Sequence, residues 1–342
     1  MTKEQPKVHG RFKNPVEAVL TGVVEYFKRE TNIRPLREND RLDGKKCLIT
    51  GANSGIGYAI ALELAMRGAD LIMACRSGIP EAGEKIRAAS GSQTVEMMKV
   101  DISDATSIHE LCDQLKERGV QLDVVICNAG IGSPMAQPTK QGIERMLMVN
   151  YVAKFVFLNH LLLDGTIPNA AFAQNARTAG DRPRIIFTSS DSHRNASAIN
   201  FEQLGVLKKY SVSEGIGLYS YYKLVLNTFA TELSRRLNPN GSTDVAVHAV
   251  CPGPVNTNII RDAPQPLRAF LKLIFTLFFQ KPEKAAPPLV YMACAPEVEG
   301  QTNTYLHMMA EKRMDEKCYD AEAGQRLWDR TEEIVQKYGL MK

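Results

Sequence analysis

The run Thr50-Gly51-Ala52-Asn53-Ser54-Gly55-Ile56-Gly57 constrains this chain more than any other feature. It directly follows an apolar segment, Cys47–Thr50, and opens a helix-forming stretch that continues through Arg67. Such a turn needs glycine for steric reasons. One glycine permits the tight turn, another lets the backbone approach a phosphate, and a third allows close packing of helix on strand. Free N–H groups at the helix N-terminus then face the anion with partial positive charge behind them. The expectation is a pyrophosphate-binding turn built from Gly51, Asn53, Ser54, Gly55, Ile56 and Gly57. Its spacing is GxxxGxG rather than the commoner GxGxxG.

The chain then repeats this unit. Asp70–Cys75, Val95–Val100, Asp123–Cys127, Arg184–Ser189 and Asp244–Val250 read as strands. Glu81–Ala89, Ser107–Glu117, Gln141–Leu163 and Tyr219–Leu237 read as helices between them. Short apolar strands alternating with helices imply right-handed βαβ units. The fold class expected is α/β, a doubly wound parallel sheet in a single domain over residues 44–342, with an N-terminal helical extension over 1–43. In that extension Val16, Val19, Leu20, Val23, Val24 and Phe27 recur at helical spacing, which predicts a short amphipathic helix. Asp164–Pro183, rich in Ala, Asn, Gly and Pro, reads as a surface loop.

Composition excludes other classes. Apolar residues are 44% and charged residues 23%, near the globular average, so bulk disorder is ruled out. The net charge of +4 is small and no basic stripe stands out, so nucleic acid is not an expected partner. The seven cysteines are spread without a CxxC pair and are expected as free thiols in a reducing compartment. The histidines show no ligand spacing, so no metal is expected. No apolar run reaches the ~20 residues that cross a bilayer. The Met1 end lacks the pattern of a secretory leader. A cytoplasmic location is therefore expected. Pro266–Gln280 is strongly apolar, with only Arg268 and Lys272 charged. It reads as a lid over an apolar pocket, as a membrane-surface element giving peripheral contact, or as an ordinary buried helix.

Two later motifs, Asn128-Ala129-Gly130 and Tyr219-Ser220-Tyr221-Tyr222-Lys223, join the glycine turn. Together they resemble the short-chain dehydrogenase/reductase family over about residues 44–260. The sequence Ala74-Cys75-Arg76-Ser77, the long segment after Ser190 and the apolar late helix are similar to its retinol dehydrogenase-like branch. The resemblance implies a Rossmann-type fold and hydride transfer with a nicotinamide cofactor. It implies Asp101 and Ile102 at the adenine end, and Asn128, Ala129 and Gly130 as a wall on that side. Pro252, Gly253 and Thr257 are then expected at the nicotinamide end.

The end of the second strand selects the cofactor. An acidic side chain there would bind a ribose 2′-hydroxyl and repel a 2′-phosphate. Cys75 and Arg76 stand there instead, and a guanidinium pairs well with phosphate. NADP(H) is expected in preference to NAD.

Tyr219 and Lys223 are four residues apart and share a helix face. An ammonium beside a phenol favours the phenolate, lowering a pKa of about 10. Tyr219 would then exchange a proton with a carbonyl or alcohol oxygen as hydride moves. Lys223 would also hold the nicotinamide ribose. Tyr221 and Tyr222 lack a lysine four residues later. The resemblance further implies that Ser190 hydrogen-bonds the substrate oxygen, with Ser189 and Ser192 as adjacent alternatives. It gives Asn150 a water near the lysine and a part in proton relay. His193 reads as a surface histidine in preference to an extra proton donor. Residues 191–218 and 258–281 are expected to wall the substrate pocket.

The activity expected is NADP(H)-dependent hydride transfer with the carbonyl or alcohol of a lipophilic substrate: retinoid-like, steroid or long-chain aldehyde. The alternatives are an NAD-dependent hydroxysteroid-type dehydrogenase and a cofactor-binding regulatory protein with little turnover. A homo-oligomer is compatible with either.

Overall fold

The computed structural model describes residues 32–178, 180–255 and 280–341. The N-terminal amphipathic helix, Thr257 and nearly all of the segment 258–281 lie outside the described residues.

The chain alternates as its pattern implies. In order come β1 (Lys46–Thr50), α1 (Gly55–Met66), β2 (Asp70–Cys75), α2 (Glu81–Ser90), β3 (Val95–Lys99) and α3 (Ala105–Glu117). Then follow β4 (Val124–Cys127), α4 (Arg145–Leu163), β5 (Arg184–Thr188), α5 (Val212–Leu237) and β6 (Ala246–Cys251). The chain finishes with α6 (Pro287–Cys294), β7 (Thr304–His307), β8 (Ala310–Lys312) and α7 (Ala321–Lys337). The sheet order is β3-β2-β1-β4-β5-β6-β7-β8, parallel except for the β7–β8 hairpin. Cys47 pairs with Leu71 on one side and Val124 on the other, so the order reverses at β1.

Both faces of the sheet are covered, which is why its strands are apolar throughout rather than alternating. Leu48, Val125, Phe187 and Val247 point to the layer that holds Leu158, Leu226 and Trp328. Ile49, Met73, Ile126 and Val250 point to the opposite layer, against Ile60, Ile86 and Leu289. The described part of the N-terminal segment lies against this second layer. Leu42 is buried, and Arg34 bridges Asp40 at 2.7 Å and Glu297 at 2.5 Å.

Some boundaries differ from the sequence expectation. Helix α5 begins at Val212, not Tyr219, because Ser211 and Glu214 form a reciprocal capping box. The substrate loop is shortened accordingly, and Asp191–Asn195 forms a 3-10 turn. Asp164–Pro183 is not wholly a surface loop. Its Thr166, Ile167 and Asn169 are buried, and Asn169 Nδ2 donates to the Leu162 and Ile167 carbonyls at 2.9 and 2.8 Å. The elements α6, β7, β8 and α7 were not foreseen. Helix α7 packs Trp328 against Phe155 and Phe229, with ring centroids 4.9 and 6.0 Å away. Helix α4 is long and apolar enough to cross a membrane by length and composition, yet nearly all of it is buried within the protein.

Candidate active site

A cavity of about 450 Å³ opens at the carboxyl ends of the strands, where the order reverses. The glycine turn forms one end of it. Gly51 has φ +68° and lies against Ala129, where a side chain would crowd the wall. Gly57 has no room at all: a Cβ there would stand 2.2 Å from the Gly51 carbonyl oxygen and 2.6 Å from Asn128 Nδ2. Asn128 is the staple of this end. Its Nδ2 donates to the Thr50 and Gly51 carbonyls at 3.1 and 3.2 Å, and its Oδ1 accepts from Thr188 Oγ1 at 3.3 Å. The Asn128 and Ala129 amides donate to Thr50 Oγ1, both at 3.1 Å. The ends of β1, β4 and β5 are thereby locked together around the cavity.

Asn53, Ser54, Gly55, Ile56, Arg76, Asp101, Ile102, Ala129 and Gly130 all line this cavity. Arg76 is half-exposed and its nearest guanidinium nitrogen lies 3.9 Å from Asp101 Oδ2. Asp101 Oδ1 accepts from the Ser103 amide at 2.9 Å and hydroxyl at 2.7 Å. Cys75 departs from the sequence expectation. It is buried, with the backbone of Ala52 and Asn53 acting on its thiol, and it is absent from the wall. The residues presented to the cavity after β2 are Arg76 and Ser77.

At the other end stand Ser190, Tyr219, Lys223, Pro252 and Gly253. The Tyr219 phenol and the Ser190 hydroxyl face each other there, and the serine favours ionisation of the phenol. Lys223 Nζ donates to the Thr188 carbonyl at 2.8 Å and lies 5.5 Å from the Tyr219 ring centroid. Ser189 also lines the cavity, but its hydroxyl is committed to Asn227 Oδ1 at 2.6 Å. Ser192 is absent from the wall. Ser190 is thus the serine that faces the phenol. Asn150 lies behind the wall, fully buried in a π-helical turn, Met148–Val152, of α4. Its side chain pairs with both backbone groups of Ile131, at 3.0 and 2.8 Å. A Cβ on Gly130 would meet Asn150 Oδ1 at 3.0 Å and Lys223 Nζ at 3.9 Å, so both residues look onto that glycine.

The electrostatics reverse one expectation. Burial, with a contribution from Cys251, pushes the Tyr219 phenol well above its ordinary value, and only the Ser190 hydroxyl opposes this. Burial pushes Lys223 down to about 7, Lys154 adding to that effect. The lysine does not depress the phenol because desolvation disfavours the charged form of each group more than their attraction favours it.

His193 is the second correction. It is fully buried rather than on the surface. Its Nε2 accepts from the Asp315 amide at 3.1 Å, so the proton sits on Nδ1, which donates to the Ser190 carbonyl at 2.8 Å. With both nitrogens engaged, it braces Ser190 from behind. The sequence reading also passed over cavity residues Ser77, Ile131, Arg145, Val149 and Thr188. A signal existed for Thr188, which ends a strand beside the point where the sheet order reverses.

A family model described as short chain dehydrogenase matches residues 45–200. Retinol dehydrogenase 14 from Mus musculus is 33% identical over 315 residues, covering 88% of each chain. The chain belongs to the short-chain dehydrogenases. Within them it falls in the retinol dehydrogenase-like branch. Polyprenol dehydrogenase from Homo sapiens is 30% identical over 290 residues, 84% of each chain. Among solved structures, an uncharacterised protein from Mycobacterium paratuberculosis superposes with a TM-score of 0.65 at 25% identity, covering 89% of this chain and 98% of its own. A short-chain dehydrogenase is an oxidoreductase that works with a nicotinamide cofactor. The cavity fits such a group: Gly51, Asn53, Ser54, Gly55 and Ile56 line one end of it at the start of α1, and one continuous wall runs from Arg76 to Tyr219.

Proposed function

We propose that this short-chain dehydrogenase is an NADP(H)-dependent enzyme transferring hydride between the nicotinamide and a carbonyl or alcohol of a lipophilic substrate. The observation that carries the reading is that Ser190, Tyr219 and Lys223 line the same cavity as the glycine turn. The cofactor, when bound, gives or takes the hydride. Asn53, Ser54, Gly55 and Ile56 hold its diphosphate, Arg76 its 2′-phosphate, and Pro252 and Gly253 its nicotinamide end. Ser190 orients the substrate oxygen and Tyr219 exchanges a proton with it. Lys223 holds the nicotinamide ribose beside Tyr219, and Asn150 fixes the turn behind both. Burial keeps Tyr219 protonated at neutral pH, the state a proton donor needs in carbonyl reduction. The relatives support an apolar substrate, since retinol and polyprenol dehydrogenases are named for lipophilic alcohols. Seven buried free cysteines support a reducing compartment.

The test is Tyr219→Phe assayed with retinoid, steroid and long-chain aldehyde substrates and both cofactors. Turnover should fall by roughly 10²–10⁴-fold while NADPH still binds. Near-normal turnover in the variant would overturn the assignment.

A further inference from the structure

A second lysine, Lys154, lies buried behind the same wall, four residues after Asn150 on α4. Its Nζ donates to the Ala129 carbonyl at 2.9 Å and the Val149 carbonyl at 2.8 Å. Val149 belongs to the π-helical turn, where wider winding displaces carbonyls from their regular partners. Ala129 belongs to the turn after β4 that Asn150 also grips through Ile131. Lys223 approaches the same turn at Gly130, where a Cβ would lie 3.9 Å from its Nζ. Two buried ammoniums therefore lie against one short stretch of backbone. Among the described residues, neither is paired with a carboxylate, and both spend their hydrogen bonds on carbonyls.

We propose that Lys154 is a positioning residue: it clamps the turn after β4 onto the segment that carries Asn150, and its uncompensated charge acts on Lys223 across that turn. The groups that face Lys223 are Lys154 from α4, the Cys251 thiol from β6 and the Tyr219 ring from α5. Lys154 in turn faces Cys127 of β4. These thiols are pushed up by burial, Cys251 to about 11 and Cys127 to about 12, and stay neutral. Repulsion between the ammoniums is thus not offset locally. It joins burial in bringing Lys223 to about 7, while burial brings Lys154 to about 8. Removing Lys154 should let Lys223 hold its proton to higher pH. The consequence for catalysis rests on the reading of Lys223 and Tyr219 given above; the titration of Lys223 does not.

The experiment is a side-chain lysine NMR titration of the full chain without cofactor, with the Lys223 signal identified by its loss in Lys223→Met. Lys223 should titrate near neutrality in the wild type. In Lys154→Met its midpoint should rise by about half a pH unit or more, and the limb of the pH–rate profile set by Lys223 should move the same way. Lys154→Arg keeps charge and donors and should restore the wild-type midpoint. Should Lys154→Met show no melting transition, Lys154→Gln replaces it and should give the same upward shift. An unchanged midpoint in the charge-removing variant, or an equal shift in Lys154→Arg, overturns the proposal. A Tyr219→Phe enzyme that still turned over would instead overturn the catalytic reading and leave the Lys223 midpoint where it is.

Discussion

Lys223 Nζ stands 5.5 Å from the centre of the Tyr219 ring, four residues further along α5, and is held there by the Thr188 carbonyl at 2.8 Å. Helix spacing puts the two side chains on one face, and β5 supplies the acceptor that aims the amine. The same enclosure opposes ionisation of both groups, upward for the phenol and downward for the ammonium.

That enclosure costs stability. The folded-state value of Lys223, about 7, lies below the 10.5 of a free lysine. Between those values the unfolded chain binds more protons, so stability rises with pH. The penalty is fullest below about pH 7 and fades toward the unfolded value. Lys223→Met should therefore gain more, relative to wild type, at about pH 6.5 than at about pH 9.5, by on the order of 2–3 kcal/mol. Denaturant unfolding at the two pH values measures the difference. The lost Thr188 hydrogen bond cancels from that comparison.

Cofactor choice should follow Arg76 and not Cys75, because only Arg76 reaches the cavity. Arg76→Asp removes a charged hydrogen bond worth ~1.5–3 kcal/mol and adds repulsion toward a 2′-phosphate. NADPH affinity should fall by about ten- to several-hundredfold, while NADH is held at least as well. Fluorescence titration with both cofactors decides it. A variant that still prefers NADPH would show that another residue reads the phosphate.

Gly57→Ala tests the close approach of α1 to β1 and β4. The new methyl would sit 2.2 Å from the Gly51 carbonyl oxygen, a backbone atom that cannot swing aside. Overpacking of this kind costs about 1–3 kcal/mol or more. We expect a lower melting temperature together with lost cofactor binding, seen by calorimetry with and without NADPH.

His193 gives the protein an acid-sensitive brace. Burial lowers it from 6.5, so neutral imidazole is favoured in the fold. Asp191, Arg194 and Asp315 are the charged groups facing it. Stability should be complete above about pH 6.5 and fall as pH drops from there toward the lower folded-state value. His193→Gln can donate to Ser190 and accept from Asp315 without titrating. Melting temperatures between about pH 7.5 and 5 should fall less in the variant than in the wild type.

Much of this was written locally in the chain. The glycine turn, the strand–helix alternation and the Tyr219/Lys223 spacing depend on short-range sterics and periodicity, and they lead to the sheet and to one end of the site. Other features were legible but passed over: Ser211 and Glu214 spell a capping box, and Leu327, Trp328, Thr331, Ile334 and Val335 mark the buried stripe of α7.

What tertiary structure alone decided concerns partners far apart in sequence. His193 is a brace only because Asp315 folds back against it, and Ser190 is singled out from Ser189 only because Asn227 takes the latter's hydroxyl. Arg76 rather than Cys75 reaches the cofactor cavity because the thiol is buried away from the wall. The protonation of Tyr219 and Lys223 belongs to the same class. A neighbouring charge can be read from spacing along a helix, but desolvation is set by everything that closes around the pair, and here it is the larger effect.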